Sequence, residues 1–134
     1  MENILMADFT IPLPPKREDR IVKQKYRNAP TEAYDRWRSQ TDTALFYQRK
    51  HVSRHITGKF IVRVTMGEND LYPISGQAEI EYKDAIVAYL EGRKITPDLS
   101  NTLIVFRFSA VSVDPGMVHI IIEQKQDMLN GVRL

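Results

Sequence analysis

The sequence predicts an α+β domain of two layers, with helices packed on one small mixed β-sheet. Three observations predict it. The chain has 134 residues, about the length that closes over a single hydrophobic core. Its 43% hydrophobic and 27% charged residues match a folded globular composition rather than a disordered or membrane one. Its apolar periodicities run in the order strand, helix, strand, helix, strand, strand, with no internal repeat and no linker long enough to separate modules, so residues 1–134 are expected to form one domain.

Each element has a local reason. DFTIPLPPKR begins extended, but its prolines cannot donate regularly to a central ladder, which predicts an edge strand running into a loop. Lys16–Arg27 is basic, non-periodic and poor in large apolar residues; a flexible basic loop over 16–30 is expected. Thr31 follows Pro30 as an N-cap for a helix from about Glu32 to Lys50, with Tyr34, Trp37, Thr41, Ala44, Leu45 and Gln48 on one side. FIVRVTM alternates Phe60, Val62, Val64 and Met66 against Ile61, Arg63 and Thr65, a half-buried strand. GENDLYPISG is a loop by composition.

Next comes a helix from about Gln77 to Glu91, with Ser75 as N-cap, a stripe of Ala78, Tyr82, Ala85, Ile86, Tyr89 and Leu90, and Gly92 to stop it. NTLIVFRFSAV and GMVHIIIEQ are strands joined by the turn residues Asp114, Pro115 and Gly116. The tail, 124–134, has weak pattern and is expected to be flexible.

Composition removes whole classes of chemistry. With no cysteine there is no disulfide framework, thiol catalysis or cysteine-based metal site. No window approaches the roughly 18–20 apolar residues of a bilayer span, and MENILMADFT carries acids where a signal peptide has a basic start; an intracellular, cytoplasmic protein with no membrane partner is expected. The net charge of +2 hides an asymmetry: residues 16–63 hold thirteen Lys/Arg against five Asp/Glu, whereas 64–134 hold six against ten. Such a division suits a surface for a polyanion and another that gathers carboxylates around a cation, although a solvated surface with chance clustering has the same composition.

Nucleophile-elbow, Walker and dinucleotide-binding glycine motifs are absent. His51 and His55 stand at a zinc-compatible spacing without a HExxH glutamate, and exposed histidines beside a basic run are the simpler reading. Pro12, Pro15 and Arg17 fit P-x-x-P-x-R, which a short proline turn also explains.

The stretch GQAEIEYKDAIVAYLEGRKITPDLSN, together with IPLPPKREDR and PGMVHIIIE, resembles the RusA family of Holliday-junction endonucleases, small homodimeric phage and prophage enzymes that cut four-way DNA with magnesium. The family's P-x-P-P-x-x-x-R opening, its D-x-D-N-x-x-K-x-x-x-D-x-L and its I-x-D-D-S-x-x-V have counterparts here over about residues 8–123. The resemblance implies a RusA-like fold, a four-way-junction DNA partner, a homodimer and a magnesium cofactor. Carried over by position, the family's lysine falls on Lys83, and its two preceding aspartates fall on Gln77 and Glu79. Its asparagine falls on Ile80, and its later aspartate pair on Asp98 and Leu99.

The implied catalytic set is therefore Glu79, Lys83 and Asp98, with Glu79 and Asp98 as metal ligands. Leu99 has no donor atom and Gln77 only a neutral amide oxygen, so cleavage is expected to be impaired or absent. Glu79 and Lys83 at i,i+4 also match an ordinary surface ion pair. Lys16, Arg17, Arg20, Lys23, Lys25 and Arg27, with Tyr26 among them, are the candidate DNA contacts. A non-catalytic regulatory or interaction module on the same fold is the alternative.

Overall fold

The structure is a computed structural model describing residues 4–53, 60–67, 75–96, 103–109 and 116–124. The elements are β1 (Ile4–Pro12), β2 (Ile21–Lys23), β3 (Asn28–Pro30), α1 (Glu32–Tyr47), β4 (Phe60–Gly67), α2 (Ser75–Gly92), β5 (Leu103–Ser109) and β6 (Met117–Gln124). Short 3-10 turns occupy Arg17–Asp19 and Arg49–His51. The expected α+β class is observed.

The main sheet has the order β1-β6-β4-β5. β6 pairs antiparallel with both β1 and β4, whereas β4 and β5 are parallel and joined through α2. Although β5 and β6 follow one another in sequence, β4 lies between them. β1 is an edge strand that ends at Pro12, as the proline-rich segment leads one to expect. Asp114 and Pro115 lie outside the described residues; Gly116, at φ 75°, occupies the left-handed region that glycine enters without strain.

Alternation places Ala7, Phe9 and Ile11 of β1, Phe60, Val62, Val64 and Met66 of β4, and Val118, Ile120 and Ile122 of β6 in one core. Against them pack Trp37 of α1 and Tyr82, Ala85, Ile86, Tyr89 and Leu90 of α2. Trp37 meets Tyr89 edge to face at 5.5 Å, and its Nε1 donates to the Pro12 carbonyl at 2.8 Å, locking the proline turn to α1.

Side chains also finish the edge of β1. The Gln48 amide donates to the Thr10 carbonyl and accepts from the Thr10 N–H, at 2.7 and 2.8 Å, taking the place of a neighbouring strand. Ala7 bridges Val52, and Ser53 N–H donates to the Met6 carbonyl. This need for a tight turn back to β1 explains why α1 stops at Tyr47 and continues as a 3-10 turn, short of the expected Lys50.

Thr31 caps α1 as expected, its hydroxyl accepting from Tyr34 N–H at 3.1 Å. Ser75 lies inside α2 rather than before it, since the helix begins two residues earlier than the apolar stripe indicates. Its other end closes with Lys94 N–H on the Glu91 carbonyl and Ile95 N–H on the Leu90 carbonyl, both 3.0 Å. That is a Schellman ending, in which the left-handed residue is Lys94 at φ 58° and Gly92 is still helical.

Candidate nucleic-acid interface

The segment expected to be a flexible loop is an ordered arm. β2 and β3 pair antiparallel, Ile21 with Pro30, Val22 with Ala29 and Lys23 with Asn28, and Gln24 N–H donates to the Arg27 carbonyl at 2.8 Å to close the tip. Three-residue strands without alternation leave no local signature, and a lone hairpin is marginal in water. The arm is held by its root.

At that root Thr31 acts twice. Its backbone N–H donates to the Arg20 carbonyl at 2.9 Å and its hydroxyl donates to the Asp19 carbonyl at 2.6 Å, while the same oxygen caps α1. Arg20, only 5% exposed, donates from its guanidinium to the Glu81 carbonyl of α2 at 2.9 Å. The Glu81 carboxylate accepts from Arg17 N–H at 2.9 Å, and the Arg17 guanidinium stands 3.8 Å from Asp84. A cavity of about 260 Å³ remains between arm and helices, bordered by Arg20, Ile21, Tyr34 and Ala88.

The six candidate cations thus divide by role. Arg20 is a buried anchor and not an outward phosphate contact. Arg17 is anchored at its backbone and half-committed to Asp84, and Lys16 begins the 3-10 turn. Lys23, Lys25 and Arg27 are exposed on the arm around Tyr26, which is 88% exposed and has Lys25 Nζ 5.4 Å from its ring centroid. No Asp or Glu occurs from residue 20 to residue 31. The tip therefore offers three cations and one aromatic face with no carboxylate among its own residues.

Lys83 lies elsewhere on α2. Successive helical residues turn about 100°, which puts position 83 roughly 100–160° from the Glu81, Asp84 and Ala88 flank that receives the arm. Positions 79 and 83 share a flank, but the Glu79 side chain, and Asp98 and Leu99 altogether, lie outside the described residues. His55 does as well. Among the described residues no group of three or more His, Asp or Glu is placed to hold a metal ion. The carboxylates of Glu81 and Asp84 face Arg17, so part of the acidic half of the chain neutralises the basic half directly.

From the sequence, Glu81 and Asp84 are at most spare acids for a metal site, and their part in seating the arm is not expected. Their signal was the i,i+3 acidic pair on a helix flank free of the apolar stripe, complementary to Arg17; Arg20 uses the Glu81 backbone carbonyl, which no side-chain pattern announces. Among the described residues, no helix is long and apolar enough to cross a membrane. Compared with known proteins, the chain matches no family model and no curated protein.

Proposed function

We propose that the chain is a RusA-like binding protein for branched DNA, engaging phosphates through the β2–β3 arm, and that it works without cleaving. The observation that carries this reading is the acid-free basic tip, with Tyr26 projecting among Lys23, Lys25 and Arg27. A two-stranded ribbon has the width of a DNA major groove, and cations beside an open aromatic ring suit phosphates and a base or sugar face. Preference for a four-way junction goes with the resemblance and calls for two arms from a symmetric dimer reaching different DNA arms. A cytoplasmic location belongs to the same proposal.

The non-catalytic part of the reading rests on a depleted magnesium site. Magnesium is held by hard anionic oxygens; of the family's four acidic positions only Glu79 and Asp98 keep a carboxylate, Leu99 supplies no donor and Gln77 a neutral one, and on α2 the Glu81 carboxylate already accepts from Arg17 N–H. Binding to a synthetic four-way junction and to linear duplex, measured across a salt series, tests the reading. Replacing Lys23, Lys25 and Arg27 together by alanine is expected to weaken binding and to reduce the slope of log affinity against log salt by up to about 2.7, at roughly 0.9 per duplex phosphate contact. An unchanged isotherm would refute the arm's role, and cleavage of the junction in magnesium would refute the non-catalytic assignment.

A further inference from the structure

The far end of the helix layer carries a second basic surface. At the last turn of α1, Phe46 and Tyr47 are 59% and 79% exposed, with ring centroids 5.8 Å apart. Arg49 lies over the Phe46 ring at 4.3 Å, and Lys50 and His51 follow in the exposed 3-10 turn. Beside them is a cavity of about 260 Å³ whose apolar lining is Leu45, Val52 and Ile95 and whose polar lining includes Arg49, Arg93 and Lys94. None of the lining residues is acidic.

Two features oppose an anion here, and both are answered locally. α1 and α2 end at this surface, where helix carbonyls favour cations, but several of those carbonyls are already occupied. Gln48 N–H donates to Leu45, Arg49 to Phe46, and Lys94 and Ile95 N–H to Glu91 and Leu90. Asp42 is a nearby carboxylate, and Arg93 grips both of its oxygens at 2.7 and 3.0 Å; Glu91, in the last turn of α2, is also partnered. No hydrogen bond or ion pair holds the side chains of Lys50 or Lys94 among the described residues, and Tyr47 has an open ring.

We infer that this surface is a second nucleic-acid contact, taking a few unpaired nucleotides by stacking a base on Tyr47 and drawing phosphates to Lys50 and Lys94. Charge complementarity selects a polyanion, and adjacent exposed aromatic rings select one with planar bases; base–aromatic stacking tolerates any sequence. The sixteen residues of α1 separate this surface from the arm by about 24 Å at ~1.5 Å per residue, a span of about seven steps of a strand at ~3.4 Å each. The inference rests on the nucleic-acid reading of the chain and adds a single-stranded contact to its duplex contact.

The test measures fluorescence anisotropy of a short labelled oligothymidylate and of a labelled duplex, using the full chain. Tyr47→Ala is expected to weaken oligothymidylate binding about tenfold, the scale of one lost base–aromatic stack, with duplex binding little changed. Tyr47→Phe should retain affinity, and Lys50→Ala with Lys94→Ala should weaken binding and flatten its salt dependence. Oligothymidylate binding indifferent to Tyr47→Ala overturns the inference. Equal displacement by polyglutamate of matched charge also overturns it, indicating an acidic protein partner. If the Lys23, Lys25 and Arg27 variant abolishes duplex binding while the Tyr47 and lysine variants change nothing, the second contact fails and the arm's role stands. If only the Tyr47 and lysine variants lose binding, the second contact stands and the arm's role fails.

Discussion

Arg20 and Lys25 are both basic residues of one short segment, yet burial gives them opposite duties. Arg20→Ala removes a charged donor from the Glu81 carbonyl and leaves the arm root unfilled; a loss of about 1–3 kcal/mol is expected, the range for a stranded buried partner. Lys25→Ala, at an exposed position of the arm, should change stability by less than about 0.5 kcal/mol. Urea denaturation of the two variants separates anchor from contact, and equal midpoints would show that Arg20 is not anchoring the arm. Gln48→Ala makes a related case: with the Thr10 N–H and carbonyl both unpartnered on a half-covered edge, a similar loss of about 1–3 kcal/mol is expected. Charge at Arg20 and Lys25, and polarity at Gln48, were legible in the sequence. Their partners were not, because those of Arg20 and Gln48 lie 61 and 38 residues away, beyond any periodic window.

Elements whose cause is local were legible, and elements whose cause is remote were not. Thr31 and the Trp37–Thr41 spacing announce α1, and the alternation from Phe60 to Met66 announces β4, because one amphipathic period repeats over each. β2 and β3 have no such period; they exist because Thr31 and Arg20 close the arm's base. The position of β6 between β1 and β4 is likewise a matter of pairing, which strand composition alone does not specify. Ordinary helix-stop chemistry also misplaced the end of α2: glycine was expected to end it, yet Gly92 is helical and Lys94 carries the left-handed geometry. A side chain there costs about 1–2 kcal/mol in a left-handed residue. Lys94→Gly should therefore stabilise the fold by about 1 kcal/mol, net of the glycine's greater unfolded freedom. Thermal melting checks it, and a lowered midpoint would mean that the lysine side chain contributes more than its backbone strain costs.

Across the whole molecule, one polar cluster joins the two helices. Tyr89 of α2 donates its hydroxyl to Asp42 of α1 at 2.5 Å, and Arg93 grips the same carboxylate while standing 5.2 Å over the Tyr89 ring. Hydrogen bonding from Arg93 holds the Asp42 carboxyl below its usual range, aided by Tyr89 and opposed by desolvation. Burial, then the bond to Asp42, pushes the Tyr89 hydroxyl well above its usual range. These directions set the sign of the pH dependence. A depressed carboxyl stabilises the fold above its unfolded value of about 3.9, and that contribution is lost as pH falls through the folded value. A raised phenol stabilises the fold below its unfolded value of about 10, and that contribution is lost as pH rises towards the folded value. The helix pair should hold a stability plateau between those limits. Asp42→Asn keeps one acceptor oxygen for Tyr89 and Arg93 Nε, but it loses the charge and puts an amide donor where Oδ2 accepts from Arg93 Nη2, so its deficit against the unsubstituted chain should be clear at neutral pH and should shrink below about pH 4. Tyr89→Phe should remove the part of the alkaline decline that begins near pH 10. Urea midpoints collected across pH check both limbs, and a deficit for Asp42→Asn that stays constant from neutral to acid pH would show that the carboxylate's charge contributes nothing to joining the helices.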